Sequence, residues 1–247
     1  MSAPREMSLG LATELLRGPV MAHVSSPDSG GRDVRFVDYA FDASLLFALG
    51  VFRDLQLSLV LPTRLYQSGA GAGGVTSQSA APVEQSALRD PRFGVAYSLD
   101  DALSKAGLGL RLAFDASLPL GDKSAFAGER SVVAMPSVTF GWQITRFALR
   151  ASLAARLRSA VDFGDVHLGN EGYFALGAGV DVLAPGLLFL SLEGFALPPL
   201  TSSRSAYANA ALTSVSLFPA EWLFGVHSSL RCDSEWSLAA SIGTGLP

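Results

Sequence analysis

The chain has one cysteine, Cys232, in 247 residues, so an internal disulfide framework and a cysteine-based metal site are both excluded. Lysine occurs only at Lys105 and Lys123, and with a net charge of −4 there is no basic face for nucleic acid. No apolar run approaches the ~18 residues of a membrane-spanning helix, although 49% of residues are hydrophobic and the mean hydropathy is +0.34. Met1 to Arg17 lack the positive segment, apolar run and small-residue cleavage site of a secretory leader. Nothing in the composition marks a boundary, so residues 1–247 read as one domain.

The apolar excess is spread through alternation. From Ser131 to Arg158 a period of two separates an oily face from a polar one. Downstream of Thr145-Arg146, Phe147, Leu149, Ala151, Leu153, Ala155 and Leu157 alternate with Arg146, Arg150, Ser152, Arg156 and Arg158. Upstream, Val132, Ala134, Pro136, Val138, Phe140 and Trp142 alternate with Ser131, Ser137, Thr139, Gly141 and Gln143. Two such runs around a two-residue turn predict a hairpin. Each arm exceeds the ~5–6 residues of a soluble strand and matches the ~9–11 of a tilted strand crossing a bilayer. Backbone polar groups in lipid must be satisfied internally, so an oily chain without a spanning helix points to a closed barrel.

The same parity predicts eleven strands. Met7 to Leu16 is the first, followed by a polar loop reaching Arg32. In the second, Asp33 to Leu49, the residues Val37, Tyr39, Phe41, Ala43, Leu45, Phe47 and Leu49 are expected to face lipid, with Asp38 and Asp42 inward. Further strands follow over Leu55–Tyr66, Leu88–Leu99 and Leu108–Leu118, then the hairpin, then Tyr173–Val182, Leu188–Glu193, Trp222–Ser229 and Trp236–Thr244. Gln67 to Ala87, Ser159 to Gly169 and Leu197 to Phe218 are expected to be strandless loops. The Gly69-Ala70-Gly71 pattern lacks the strand-to-helix context of a phosphate cradle.

Connections alternate long and short, as in bacterial barrels, which predicts that odd strands run outward from a periplasmic N-terminus. Tyr97, Trp142 and Trp236 are then expected at the periplasmic edge and Tyr39, Phe174 and Trp222 at the outer one, as two aromatic girdles.

The expected lumen side holds Arg64, Arg92, Arg111, Arg146, Arg150, Arg156 and Arg158 with Glu14, Asp38, Asp42, Asp115, Asp181 and Glu193. His227 joins them as a hydrogen-bonding group. Such charges either line a conducting pore or pair into a network that closes it; pairs such as Arg150 with Asp181 would relieve the cost of desolvation. The expected function is structural or solute-passing, with no covalent chemistry, cofactor or metal. Two alternatives stand beside it. One is an outer-membrane hydrolase using a loop Asp/His pair, His167 with Asp165 or His23 with Asp28; the other is a soluble β-sandwich binding module with a solvated arginine face.

Three stretches carry a family resemblance: Leu59-Val60-Leu61-Pro62 with Tyr66-Gln67-Ser68-Gly69, Arg89-Asp90-Pro91-Arg92-Phe93-Gly94, and Leu118-Pro119-Leu120-Gly121-Asp122. They resemble the N-terminal barrel of OmpA-family and related transporter-like outer-membrane proteins of Gram-negative bacteria. The resemblance implies an outer-membrane lipid environment and small solutes as partners. Peptidoglycan is a partner only if a wall-binding domain follows the chain, since nothing here matches one. A barrel of this kind closes with an even number of strands, so the expectation is a missing leader and a missing twelfth strand, with strands one and eleven close together across an unpaired gap.

Overall fold

The computed structural model describes residues 6–24, 32–69, 71, 83–99, 107–163, 166–182, 188–198, 200–201, 203–204, 220–231 and 235–246. Side chains are described for 6–19, 36–69, 71, 83–99, 107–160, 169–182, 188–198 and 200–201. The strands are β1 (Met7–Val24), β2 (Arg32–Gly50), β3 (Leu55–Ser68), β4 (Ala87–Leu88), β5 (Arg92–Ser98), β6 (Leu108–Ser117), β7 (Val133–Ile144), β8 (Phe147–Arg156), β9 (Val161–Phe163), β10 (Val166–Leu168), β11 (Glu171–Asp181), β12 (Phe189–Ala196), β13 (Ser203–Arg204), β14 (Ala220–Arg231) and β15 (Glu235–Leu246).

One antiparallel sheet runs in the order β1-β2-β3-β5-β6-β7-β8-β11-β12-β14-β15, with β4 attached to β3. Each strand of the path pairs with the next along the chain, so the fold is an all-β, up-and-down sheet of the barrel kind, and its eleven strands are the eleven that alternation predicts. The central hairpin closes at Ile144↔Phe147, with Thr145 at a positive φ of 49°, as a two-residue hairpin turn requires.

The register lines up the apolar positions of successive strands. Leu55, Tyr97, Leu112, Val138, Leu153 and Phe174 form one row across six strands, and Tyr97, Leu112, Leu153 and Phe174 are 44–51% exposed. One residue out of phase, Ser98, Arg111, Thr139, Ser152, Ala175 and Phe195 form the matching row on the other face. That polar face is concave, because Pro62 of β3, Arg92 of β5, Asp115 of β6, Arg156 of β8 and Leu197 beyond β12 line a single cavity. The sheet therefore curls into a barrel wall with its apolar face outward. β1 and β15 are its two edges; among the described residues they share no ladder and no contact.

Four expectations need correcting. β1 continues to Val24 and β2 starts at Arg32, so the expected polar loop is largely ladder: Met21↔Arg35, Ala22↔Val34 and His23↔Asp33 pair beyond a register shift. Alternation breaks at Gly18-Pro19, where Gly18 takes φ 61°, and this hides the continuation from a parity reading. Val37 is fully buried rather than lipid-facing, because the chain leaving β3 passes over it; a Cβ on Gly69 would lie 2.7 Å from the Val37 Cα. The loops expected to be strandless contain a small sheet, β13-β10-β9, and β4 pairs with Thr63 and Arg64. Finally, the ladder sets Arg150 opposite Gly177 and Asp181 opposite Phe189. Four residues of β11 therefore separate Asp181 from the position facing Arg150, and the anticipated pair is not made.

Candidate functional site: a charge-clamped cap over the polar face

Toward its long-loop end the polar face carries an ordered cap, built where the three motif stretches of the sequence converge. Asp42 of β2 and Arg64 of β3 lie side by side across the ladder. Arg64 Nε donates to Asp42 Oδ1 at 2.7 Å and Nη2 to Oδ2 at 3.0 Å, with both side chains almost wholly buried. Arg89 adds a second guanidinium to Oδ2. The remaining Arg64 donor, Nη1, meets Gln67 Oε1 at 2.9 Å, and Gln67 passes the chain of bonds on, donating from Nε2 to the carbonyls of Glu84 at 2.8 Å and Ala125 at 3.0 Å. A buried charge persists only when paired and hydrogen-bonded, and this network pairs Arg64 with Asp42 and gives each of the three Arg64 guanidinium nitrogens an acceptor.

The segment from 118 to 132 folds back onto that network. Asp90 holds both of its ends, Oδ1 accepting from Gly121 N and Oδ2 from Glu129 N, each at 2.7 Å. The two ends cross backbone to backbone: a Cβ on Gly128 would sit 2.5 Å from the carbonyl carbon of Gly121. At its tip Asp122 Oδ1 accepts from Ser124 N at 2.8 Å and Ser124 Oγ at 2.6 Å. Those bonds, led by the Ser124 hydroxyl, hold the Asp122 carboxyl below the ordinary aspartate range. Phe126, at φ 54°, stacks on Phe36 with ring centroids 5.7 Å apart.

Glu129 also joins a second network. Arg156 bonds Glu129 and reaches Glu171 at 3.0 Å, while Arg158 reaches Glu129 at 3.1 Å and Glu171 at 2.9 Å. Two guanidiniums and two carboxylates thus form a closed square, which Asn170 buttresses by accepting from Arg158 N at 2.9 Å. Between the two networks lies a cavity of about 370 Å³ whose lining includes Arg89, Arg92, Asp115, Phe126, Glu129 and Arg156. Further toward the short turns, a cavity of about 600 Å³ opens over Gly109, Gly141, Arg150, Gly177 and Glu193.

Of the residues expected in the lumen, Asp42, Arg64, Arg92, Asp115, Arg156 and Arg158 meet at the cap and its cavity, and Arg111, Arg150 and Glu193 stand on the same face below it. Glu14 is exposed on β1, opposite Asp42. Asp38 is half-buried beside the β1/β2 register shift. Asp181 is buried, with its N–H donating to the Arg146 carbonyl at 2.8 Å. Arg146 itself occupies the hairpin turn rather than the wall. Tyr39, Tyr97, Trp142 and Phe174 are exposed on the outer face. The side chains of His23, His167, His227, Trp222 and Trp236 lie outside the described residues, as do Asp28 and Asp165 altogether. The backbone does correct two positions: His23 is in β1 and His167 in β10, neither in a loop.

Sequence reasoning missed Gln67, Arg89, Asp90, Glu129 and Glu171 as site residues. Glu171 follows Asn170 at the start of a strand and by parity shares the face of Arg156, a detectable signal. Glu129 lies in an aperiodic loop and gives none.

No family model matches the chain, and no curated protein matches it. Among solved structures, OmpF of Salmonella typhi in complex with daunomycin aligns with 98% of this chain and 98% of its own, at 9% identity and a TM-score of 0.35. The fold assignment accordingly rests on the strand ladder.

Proposed function

We propose that this protein is a β-barrel of the Gram-negative outer membrane, with its N-terminus periplasmic, whose interior passes small solutes and whose long-loop end is narrowed by the cap. The observation that carries this reading is the pairing of faces: a continuous apolar row, half exposed, runs around the outside of a sheet whose concave side holds the charges and the cavities. Water on both sides would make that outer row a large aggregation surface, whereas lipid makes it the expected surface of a barrel wall. The lumen-lining set is Glu14, Asp38, Asp42, Arg64, Arg92, Arg111, Asp115, Arg150, Arg156, Arg158, Asp181, Glu193 and His227. The aromatic positions Tyr39, Tyr97, Trp142, Phe174, Trp222 and Trp236 mark the two interfaces. No covalent step is assigned to any of them.

Membership among OmpA-type barrels, and peptidoglycan as a partner of any following domain, rest on the three motif stretches, each of which contributes to the cap. A second reading, a closed structural barrel, is favoured by the paired charges of the cap. Planar-bilayer recording of the refolded chain separates the two, since discrete conductance steps establish passage and silence at all voltages establishes the closed barrel. Partition into detergent-free water as a stable monomer would overturn both.

A further inference from the structure

Four arginines of the polar face are ion-paired, Arg64 and Arg89 sharing the one carboxylate of Asp42 and Arg156 and Arg158 meeting Glu129 and Glu171, while Arg92 lines the cap cavity with no ion pair within 4.0 Å among the described residues. Arg111 of β6 and Arg150 of β8 stand below the cap, away from its networks. Neither has an ion pair within 4.0 Å among the described residues, and both are exposed to the interior. They line one cavity of about 270 Å³ together with Gly109, Thr139, Gly141 and Ser152.

The register shows why they converge. Arg111 stands opposite Thr139, and Arg150 stands opposite Gly141, two residues further along β7. Two strand spacings and two residues of rise put their Cα atoms about 12 Å apart, a span that two arginine side chains close onto one small ligand. The floor between them is clear, because a Cβ on Gly141 would meet nothing within 4 Å. On the other flank of Arg150 the ladder places Gly177, over which the Glu193 side chain lies, its Oε1 3.6 Å from where a Cβ would be. The cavity wall also offers the hydroxyls of Thr139 and Ser152, which are hydrogen-bonded to each other at 3.0 Å and so leave one O–H between them to donate to a ligand. The nearest acids in the ladder are Glu193, beyond Gly177 in the row of Arg150, and Asp115, four residues along β6 from Arg111. Neither comes within 4.0 Å of the guanidiniums, although Asp115 is near enough to Arg111 for the two charges to interact.

Unpaired guanidiniums with adjacent hydroxyls are the donor set that binds tetrahedral and carboxylate oxyanions, by charge-assisted and bidentate hydrogen bonds. We infer that Arg111 and Arg150, with Thr139 and Ser152, form a binding site for a small free oxyanion of the phosphate class. Resting on the barrel reading above, this makes the preferred solute of the interior an anion. A lipid headgroup is not the source, since the site lies on the concave face.

The test uses the full chain refolded in non-ionic micelles free of phospholipid, its folding checked by heat-dependent gel mobility. Titration with inorganic phosphate, followed by the ³¹P line width, is expected to saturate. Arg111→Gln and Arg150→Gln are each expected to weaken binding about tenfold, the double variant to abolish it, and Arg150→Lys to retain part of it with the fold intact. Arg146→Gln, in the hairpin turn, is expected to leave binding unchanged. Absence of saturation in the folded parent, or undiminished binding in the double variant, overturns the inference. Bilayer reversal potentials under a salt gradient keep the two readings apart. A chain that conducts without phosphate binding or anion preference sinks this site and leaves the pore. A chain that binds phosphate through these arginines yet passes no current keeps the site and sinks the pore.

Discussion

Arg64 grips Asp42 through two hydrogen bonds, at 2.7 and 3.0 Å, while the ladder sets a second acid, Glu14, opposite Asp42 on its other side. Asp42 is thus flanked by an acid on one strand and a buried guanidinium on the other. The pair anchors the cap, because Gln67 and through it the 118–132 segment hang from Arg64.

Asp42→Ala leaves Arg64 buried without a counter-charge, and removing one partner of such a pair costs about 3–5 kcal/mol. Urea unfolding in micelles is expected to show a loss in that range for Asp42→Ala. The Asp42→Leu/Arg64→Leu double variant is expected to recover most of it. Equal stability of Asp42→Ala and the parent would show that the pair is open to water.

Gly121 and Gly128 cross without room for a side chain. Gly128→Ala is expected to lift the segment off the wall and free the backbone beside its already exposed basic residues Lys123 and Arg130, raising the rate of tryptic cleavage there at least several-fold while the strands stay protected. Cleavage at the parental rate would mean the crossing is elastic.

The Asp122 carboxyl is held below its ordinary range by Ser124 and the backbone. A depressed carboxyl contributes order that is complete above its unfolded value and is lost as the pH falls through its folded one. The loop tip is therefore expected to loosen only on the acid side of the ordinary aspartate range, and Ser124→Ala is expected to shift that loosening to higher pH. Carboxyl ¹³C titration of Asp122 in both proteins checks the direction, and a parental midpoint at or above the ordinary value would refute it.

Leu153 and Ser152 are neighbours in β8 on opposite faces, Leu153 being 51% exposed and Ser152 lining the interior cavity. In lipid vesicles Leu153→Arg is expected to cost about 2–4 kcal/mol and Ser152→Arg far less. A soluble sandwich would reverse the order, with the interior arginine the damaging one.

The strand pattern of this protein was legible residue by residue, because side-chain parity is a local property of an extended chain. Alternation from Val132 to Leu157 was enough to specify two faces, a turn at Thr145-Arg146 and, extended along the chain, all eleven strands of the main sheet. It lost the track at Gly18-Pro19, where the ladder resumes out of phase, and at Val37, where a neighbouring segment covers a position that parity assigns to the outside. Which charges meet was a different matter. Arg150 and Asp181 share a face yet stay apart, because contact across a sheet depends on the register between strands, and alternation within a strand carries no information about it. The partners Arg156 and Arg158 found, Glu129 and Glu171, come from an aperiodic loop and a strand start that only the folded chain brings together. The sequence determined which residues look inward; the ladder register and the folded-back segment decided which of them pair and which, like Arg111 and Arg150, make no ion-pair contact among the described residues.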